Sequence, residues 1–228
     1  MIIALVGQKG GSGKSTLAAC IASELRARSR RVLLVDCDPQ RTIVTWHDVA
    51  AEAGFAVPTV AAMTGTLHRE NQVPTMARGF DDVVIDTPPR LGEVQRSALM
   101  VAEVALLPCG PSGPDAWALA ESIRTIEEAR VVRPELRAAI CINKKRARTT
   151  LSKGARDVLV ATGIPVLKTE LGFRQAYQDA ITAGQGVAQY APRDLAAAEI
   201  RELVDEVVQM TQGGEEYVRE AHAQRASA

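Results

Sequence analysis

Lys9-Gly10-Gly11-Ser12-Gly13-Lys14-Ser15-Thr16 stands directly behind the apolar run Ile2-Ile3-Ala4-Leu5-Val6, and a helical pattern opens at Thr16. A buried strand, a glycine loop and a helix N-terminus in that order predict a phosphate cradle. Glycines let backbone N–H groups converge, and the helix end adds positive potential. The expected ligand is a nucleoside triphosphate held by Gly10, Gly11, Ser12, Gly13, Lys14, Ser15 and Thr16. Lys14 is expected at the β- and γ-phosphates, and the Ser15 hydroxyl is a hard-oxygen ligand suited to Mg²⁺. The loop departs from the common G-x-x-x-x-G-K-[ST] pattern: Gln8 stands where the first Gly belongs, and Lys9 is an additional lysine.

Two acidic strings follow. Asp36-Cys37-Asp38-Pro39-Gln40 comes behind the apolar run Val32–Val35, and a spacing of two puts both carboxylates on one side of an extended chain. Two carboxylates aimed at a phosphate site would repel it unless a metal or water lies between. One is therefore expected to order Mg²⁺ and the other to orient an attacking water, the alternative for Asp36 being a helix-capping aspartate. Asp82-Val83-Val84-Ile85-Asp86-Thr87-Pro88-Pro89 is an apolar strand ending in an acid, the arrangement that holds Mg²⁺ through water, with Asp86 as that acid.

Apolar runs at Ile2–Val6, Val32–Val35, Val83–Ile85, Val104–Leu107 and Ala138–Ile142 alternate with helical-period segments at Leu17–Arg28, Thr42–Ala53, Asp115–Val131 and Leu195–Met210. This βαβ rhythm, with continuous rather than alternating apolarity, predicts an α/β fold: a mostly parallel sheet with helices on both faces. Ligands in such sheets lie at the carboxyl ends of strands, where Gly7, Asp36, Asp86, Pro108 and Asn143 fall. Thr64–Met76 and Pro108–Pro114 read as irregular.

The chain of 228 residues, 46% hydrophobic, suffices for one domain over residues 1–212, followed by a polar tail over 213–228. Lys+Arg 27 balances Asp+Glu 27, so net charge selects no partner. Cys20, Cys37, Cys109 and Cys141 are widely spaced in apolar stretches and read as reduced core residues; the three histidines lack metal-ligand spacing. No signal segment and no apolar stretch near the ~20 residues of a spanning helix are found, so a cytoplasmic location is expected.

The string K-G-G-x-G-K-[ST]-T, with D-x-D-P-Q and D-T-P-P behind it in order, resembles the deviant Walker motifs of the ParA/MinD family of P-loop ATPases, and the resemblance runs to about Met210. It implies a short ParA-type ATPase, without the N-terminal helix-turn-helix of longer members, that uses ATP and Mg²⁺. Lys9 would be the signature lysine reaching a partner's nucleotide across a sandwich homodimer, and it joins Lys14 and Asp38 as the catalytic set. Asp38 would activate water, Asp36 would lie near the Mg²⁺ shell formed with Ser15 and Asp86, and Asn143 would contact the adenine base. Pro111–Asp115 resembles a segment near the nucleotide and the dimer interface.

The resemblance further implies binding to non-specific DNA, with Arg174 as the DNA-contacting arginine, and hence nucleoid association; among the dispersed basic residues Lys168, Arg193 and Arg201, Lys168 and Arg193 are further candidate contacts, and Arg193 or Arg201 would stand in for a second arginine. Where some members carry a second such arginine, this chain has Ala196-Ala197-Ala198. The basic run Lys144-Lys145-Arg146 with Arg148 is a second charged place. A ParB-like or adaptor partner would stimulate hydrolysis, and the cargo could be a plasmid, a chromosome origin or a protein assembly. Two alternatives share the loop. A MinD-like membrane regulator would need an amphipathic C-terminal helix, which Glu215–Ala228 does not supply, so no membrane partner is expected. A metabolic ligase of the dethiobiotin-synthetase or cobyrinate-amidating type could share the fold.

Overall fold

A computed structural model describes residues 1–90, 92–146 and 151–212. The 213–228 tail and Arg148 of the basic run lie outside the described residues. The elements run β1 (Ile2–Leu5), α1 (Lys14–Ala27), β2 (Val32–Asp36), α2 (Thr42–Glu52), β3 (Thr59–Ala62), α3 (Val73–Ala77), β4 (Asp82–Asp86) and α4 (Gly92–Leu99). The second half continues with β5 (Val104–Cys109), α5 (Gly113–Trp117), α6 (Leu119–Val132), β6 (Arg137–Lys145), α7 (Leu151–Val160), β7 (Val166–Gly172), α8 (Gln175–Thr182), α9 (Val187–Tyr190) and α10 (Leu195–Gln212).

The seven strands form one sheet in the order β3-β2-β4-β1-β5-β6-β7, and every pairing is parallel. The five strands expected from continuous apolar runs are all present. The two that the runs did not reveal, β3 and β7, are the edges, where one flank lacks a neighbour and the sequence is correspondingly mixed: β3 is half-exposed along its length and β7 carries Lys168, Thr169 and Glu170. The Asp115–Val131 pattern is two helices, broken at Ala118. The stretches expected to be irregular are partly ordered: β5 runs on to Cys109, α5 begins at Gly113, and α3 starts within the first of them.

Alternate residues of each strand enter different cores. Ile3 and Leu5 of β1 join Leu17, Ile21, Trp46, Ile200, Leu203 and Val207 on the face covered by α1, α2, α9 and α10. Ala4 joins Val73, Leu99, Ile126 and Leu159 on the face covered by α3, α4, α6 and α7. Burial on both faces is what continuous apolarity encodes. Each core is anchored by side chains that are fully buried, worth about 1.5–3 kcal/mol apiece. Gly184 closes α8: its φ is +71°, Gln185 N–H donates to Ala180 O at 2.9 Å, and a Cβ there would meet the Ala50 backbone at 2.6 Å. All four cysteines are buried free thiols, and burial pushes each thiol pKa up, so none is a nucleophile at neutral pH.

The chain order reverses at β1, which has β4 on one side and β5 on the other. That reversal opens a crevice at the carboxyl ends of the strands, where the phosphate loop lies.

Candidate functional site

The loop between β1 and α1 is turned by its surroundings. Gly13, the residue before α1, sits at φ +96°, and a Cβ there would lie 2.5 Å from Asn143 Nδ2, so only glycine fits. Five loop carbonyls have donors. Lys14 Nζ donates to Gly7 O at 3.0 Å and Lys9 O at 3.3 Å; Lys144 Nζ donates to Gly11 O at 2.6 Å. Asn143 Nδ2 donates to Ser12 O at 2.8 Å, and Leu17 N–H donates to Gly13 O at 2.9 Å. In a trans peptide the N–H points opposite to the C=O it adjoins, so anchoring these carbonyls aims the N–H groups of Gly10, Ser12, Gly13 and Lys14 the other way. The first N–H groups of α1 have no intrahelical partner, and its first turn carries no acidic residue to compete for them. The arrangement is an anion cradle.

Lys14 is buried beside two acids. Burial lowers its pKa, and Asp86 and Asp38 oppose that shift. Asp86 ends β4 in register with Leu5 of β1 and Asp36 of β2, and it is fully buried. Neither of its carboxylate oxygens has a hydrogen-bond partner among the described residues, although the Ser15 hydroxyl lies close enough to oppose the rise in its pKa. Burial, more than any other cause, pushes that pKa up to about 7; Asp36 and Asp38 add to the rise, and Ser15 and Lys14 oppose it. An orphaned buried carboxylate next to a serine hydroxyl and a phosphate cradle is the donor set of a hydrated Mg²⁺, so Ser15 and Asp86 fit that ion.

This has a measurable consequence for the nucleotide-free protein. Asp86 has its ordinary pKa near 4 when unfolded, so between pH ~4 and ~7 the folded state keeps a proton that the unfolded state has lost. Its raised pKa therefore makes stability fall as pH rises through that window, by up to about 1.4 kcal/mol per pH unit in the middle of it. Urea unfolding without Mg²⁺ at pH 5 and pH 7.5 measures the slope. Asp86→Asn is expected to flatten it, and an unchanged slope in that variant would assign it elsewhere.

Asp36 departs from expectation. Its Oδ1 accepts Asp38 N–H at 3.0 Å, and its Oδ2 accepts Ile43 N–H at 3.0 Å and Val44 N–H at 3.1 Å. Both oxygens organise the turn into α2, the capping alternative, rather than facing a metal with free lone pairs. The equivalence suggested by spacing is lost because the chain turns between the two acids. Asp38 is half-buried, accepts Gln40 N–H at 2.9 Å through Oδ1, and lies near enough to Lys14 to influence it.

Lys9 is exposed, and its ammonium is engaged by an acid of α5 rather than by a loop carbonyl. Its ammonium is ion-paired with Asp115 of α5, whose other oxygen accepts the Ser112 hydroxyl. Burial pushes the Asp115 carboxyl pKa up, but the contacts with Lys9 and Ser112 together outweigh it and hold the carboxyl below its ordinary pKa. Gln95, which no motif marked, is buried and donates from Nε2 to both Pro88 O at 2.9 Å and Gly7 O at 3.3 Å, tying the Thr-Pro-Pro loop to the phosphate loop.

Asn143 is brought to the site, but its amide serves the loop: Nδ2 is on Ser12 O, and Oδ1 accepts Lys144 N–H at 2.8 Å. A cavity of about 100 Å³ opens beside it, lined by Thr16, Leu17, Asn143, Phe173, Arg174 and Tyr177 among others. It adjoins Gly13 and the first turn of α1.

The residues expected to contact DNA differ in their surroundings. Arg174 Nε and Nη2 both donate to Glu199 Oε1, at 2.9 and 2.6 Å, and Tyr177 Oη and Gly172 N–H donate to Glu199 Oε2 at 3.1 Å each. The Arg174 charge is thus neutralised in a network that walls the cavity. Lys168 is exposed near the start of β7, six residues back along an extended strand and roughly 20 Å from Arg174. Arg193 is exposed just before α10. The Ala196-Ala197 pair of α10 is fully buried and leaves no room for an arginine, whereas Ala198 is half-buried. Of the basic run, Lys145 pairs with Glu170, and Arg146 lies over the Phe173 ring at 5.1 Å.

Among the described residues no helix is long and apolar enough to cross a membrane. Residues 3–187 match the family model described as the CobQ/CobB/MinD/ParA nucleotide binding domain. The chain is 33% identical over 208 residues to the maintenance of carboxysome distribution protein A of Halothiobacillus neapolitanus, covering 90% of this chain and 95% of that one. It is 30% identical over 239 residues to the chromosome-partitioning ATPase Soj of Thermus thermophilus, covering 92% and 96%. The solved structure of the Cyanothece McdA(D38A)–ATP complex has the same fold, with a TM-score of 0.73 and 14% identity over 91% of this chain and 96% of that one. A deviant phosphate loop at a sheet switch point, an orphaned strand-end acid and two end-to-end matches of 30% identity or more agree: the chain belongs to the CobQ/CobB/MinD/ParA family and is a P-loop ATPase of the ParA/MinD type, with ATP and Mg²⁺ as its cofactors.

Proposed function

We propose that this protein is a positioning ATPase: ATP closes two copies into a sandwich dimer that engages non-specific DNA, and a ParB-like or adaptor partner stimulates hydrolysis to release it. The observation that carries the reading is Lys9, a phosphate-loop lysine that does not serve its own cradle. It pairs with Asp115 at the surface, where a second copy could claim it. The names of the relatives, one a carboxysome-distribution protein and one a chromosome-partitioning ATPase, support the class and leave plasmid, chromosome and protein assembly open as cargo.

In this scheme the anchored loop and Lys14 bind the phosphates. Ser15, and Asp86 through water, would hold Mg²⁺, which when bound neutralises phosphate charge. Asp38 orients the attacking water. Burial of Lys14 and Asp86 keeps bulk water from screening these interactions. With Arg174 committed to Glu199, DNA contact falls to Arg193, Lys168 and their copies in the dimer, which predicts weak binding that needs dimerisation.

Fluorescence anisotropy on unrelated duplexes tests this. Binding is expected with ATP and not with ADP or without nucleotide. If about 4 phosphates are neutralised, raising salt from about 50 to about 200 mM should weaken it roughly a hundredfold. Arg193→Glu should lower the salt slope by about two, one per protomer. Tight nucleotide-independent or sequence-selective binding would reject the reading. Absence of DNA binding, with ATP turnover only when a small carboxylic acid and an amine donor are supplied, would favour the amidating-ligase branch of the family.

A further inference from the structure

We infer that Lys144, acting with Asn143, is a positioning residue of the phosphate loop, a brace that sets triphosphate affinity without regard to the base. Three observations carry this. First, Lys144 Nζ lies 2.6 Å from Gly11 O while Asn143 Nδ2 lies 2.8 Å from Ser12 O, so consecutive loop carbonyls are held by consecutive residues of β6. Second, Lys144 adopts φ +58°, a left-handed conformation unusual for lysine, and its N–H is fixed by Asn143 Oδ1. That turn in the backbone is what lets two neighbours on a strand, which would otherwise point to opposite faces, both reach the loop. Third, the other cations near the loop are differently engaged: Lys14 holds Gly7 O and Lys9 O from within, and Lys9 is on Asp115. The brace therefore governs the Gly11–Ser12–Gly13 segment, whose N–H groups at Ser12 and Gly13 point opposite to the carbonyls that Lys144 and Asn143 hold.

The consequence distinguishes a brace from a base contact. A side chain that reads adenine discriminates between bases, whereas one that shapes the loop affects every ligand carrying the same phosphates. Lys144→Met removes the ammonium while keeping the stem, and it should weaken ATP, GTP and inorganic tripolyphosphate by the same factor, roughly tenfold for one charge-assisted hydrogen bond. Lys144→Arg should restore most of the affinity. Lys144→Gly, which suits the left-handed backbone, should fold at least as well as the parent and still bind weakly, separating the brace from backbone strain. Asn143→Ala should show the same base-independent loss, whereas Phe173→Ala at the cavity wall should weaken ATP and leave tripolyphosphate unchanged.

Isothermal titration of the full chain with each of the three ligands, in Mg²⁺, decides the matter. The inference rests on the loop being a triphosphate site, and the parent protein tests that separately: no tripolyphosphate or ATP binding by the parent would overturn the site itself. Parent-like tripolyphosphate affinity in Lys144→Met, or a loss confined to ATP in Asn143→Ala, would overturn the brace while leaving the site standing.

Discussion

Lys14→Ala is expected to abolish ATP binding, while Lys9→Ala keeps ATP affinity within about threefold of the parent and loses the ATP-dependent dimer. The two lysines lie five residues apart in one loop, yet their surroundings differ in kind. Lys14 is 6% exposed, its Nζ rests on two loop carbonyls, and burial lowers its pKa while Asp86 and Asp38 at its side oppose that shift. Two charge-assisted hydrogen bonds to phosphate in such a setting, at about 1.5–3 kcal/mol each, correspond to a loss of at least roughly a hundredfold. Its removal also leaves Asp86 and Asp38 facing the phosphates without a local counter-charge.

Lys9 is half-exposed, and its contact with Asp115 is of the kind worth about 0–1 kcal/mol in solvent. Such a pair breaks cheaply when a better anion arrives, and the better anion in the proposed dimer is the partner's triphosphate. Fluorescent-nucleotide titration reads the affinity, and light scattering with ATP reads the dimer. Parental dimerisation together with parental turnover in Lys9→Ala would remove the sandwich model. Parental affinity in Lys14→Ala would mean that the loop does not hold phosphate as described.

The contrast between these lysines was legible in the sequence as a pattern, but their environments were not. A glycine loop between an apolar strand and a helix could be read directly, because backbone geometry at Gly13 and burial of β1 on both faces leave local signatures. The sheet's centre was legible for the same reason. Its edges were not, because Thr59–Ala62 and Val166–Gly172 are not buried on both sides and lack the continuous apolar signal. The surroundings of Arg174 were hidden for a different cause. Its partner Glu199 is 25 residues away on α10, and nothing in the string around either residue reveals that the turns joining α8, α9 and α10 bring them together. Lys144 was legible only as one charge in a basic run. Its left-handed backbone and its reach to Gly11 O come from the way β6 ends beside the loop, which is a property of the sheet order.

The two acids after β2 carry the second large effect. Asp38→Ala is expected to keep Mg²⁺·ATP and lose turnover by roughly 10²–10⁴-fold, the usual range for a group that positions or deprotonates a nucleophile. Asp38 is half-buried, has one oxygen on Gln40 N–H, and sits near Lys14, so it borders the phosphate site without being needed to build the turn. Asp36 is the reverse. It is buried and accepts three backbone N–H groups, so Asp36→Ala orphans donors that cost about 1–3 kcal/mol each when left unmade. That variant should lose thermal stability first, and lose activity only through the displaced turn and α2. Single-turnover hydrolysis, nucleotide affinity and melting temperature on both variants separate the roles. A stable, ATP-binding, inactive Asp36→Ala alongside an active Asp38→Ala would show that the carboxylates had been assigned in reverse, with the water held by the buried acid.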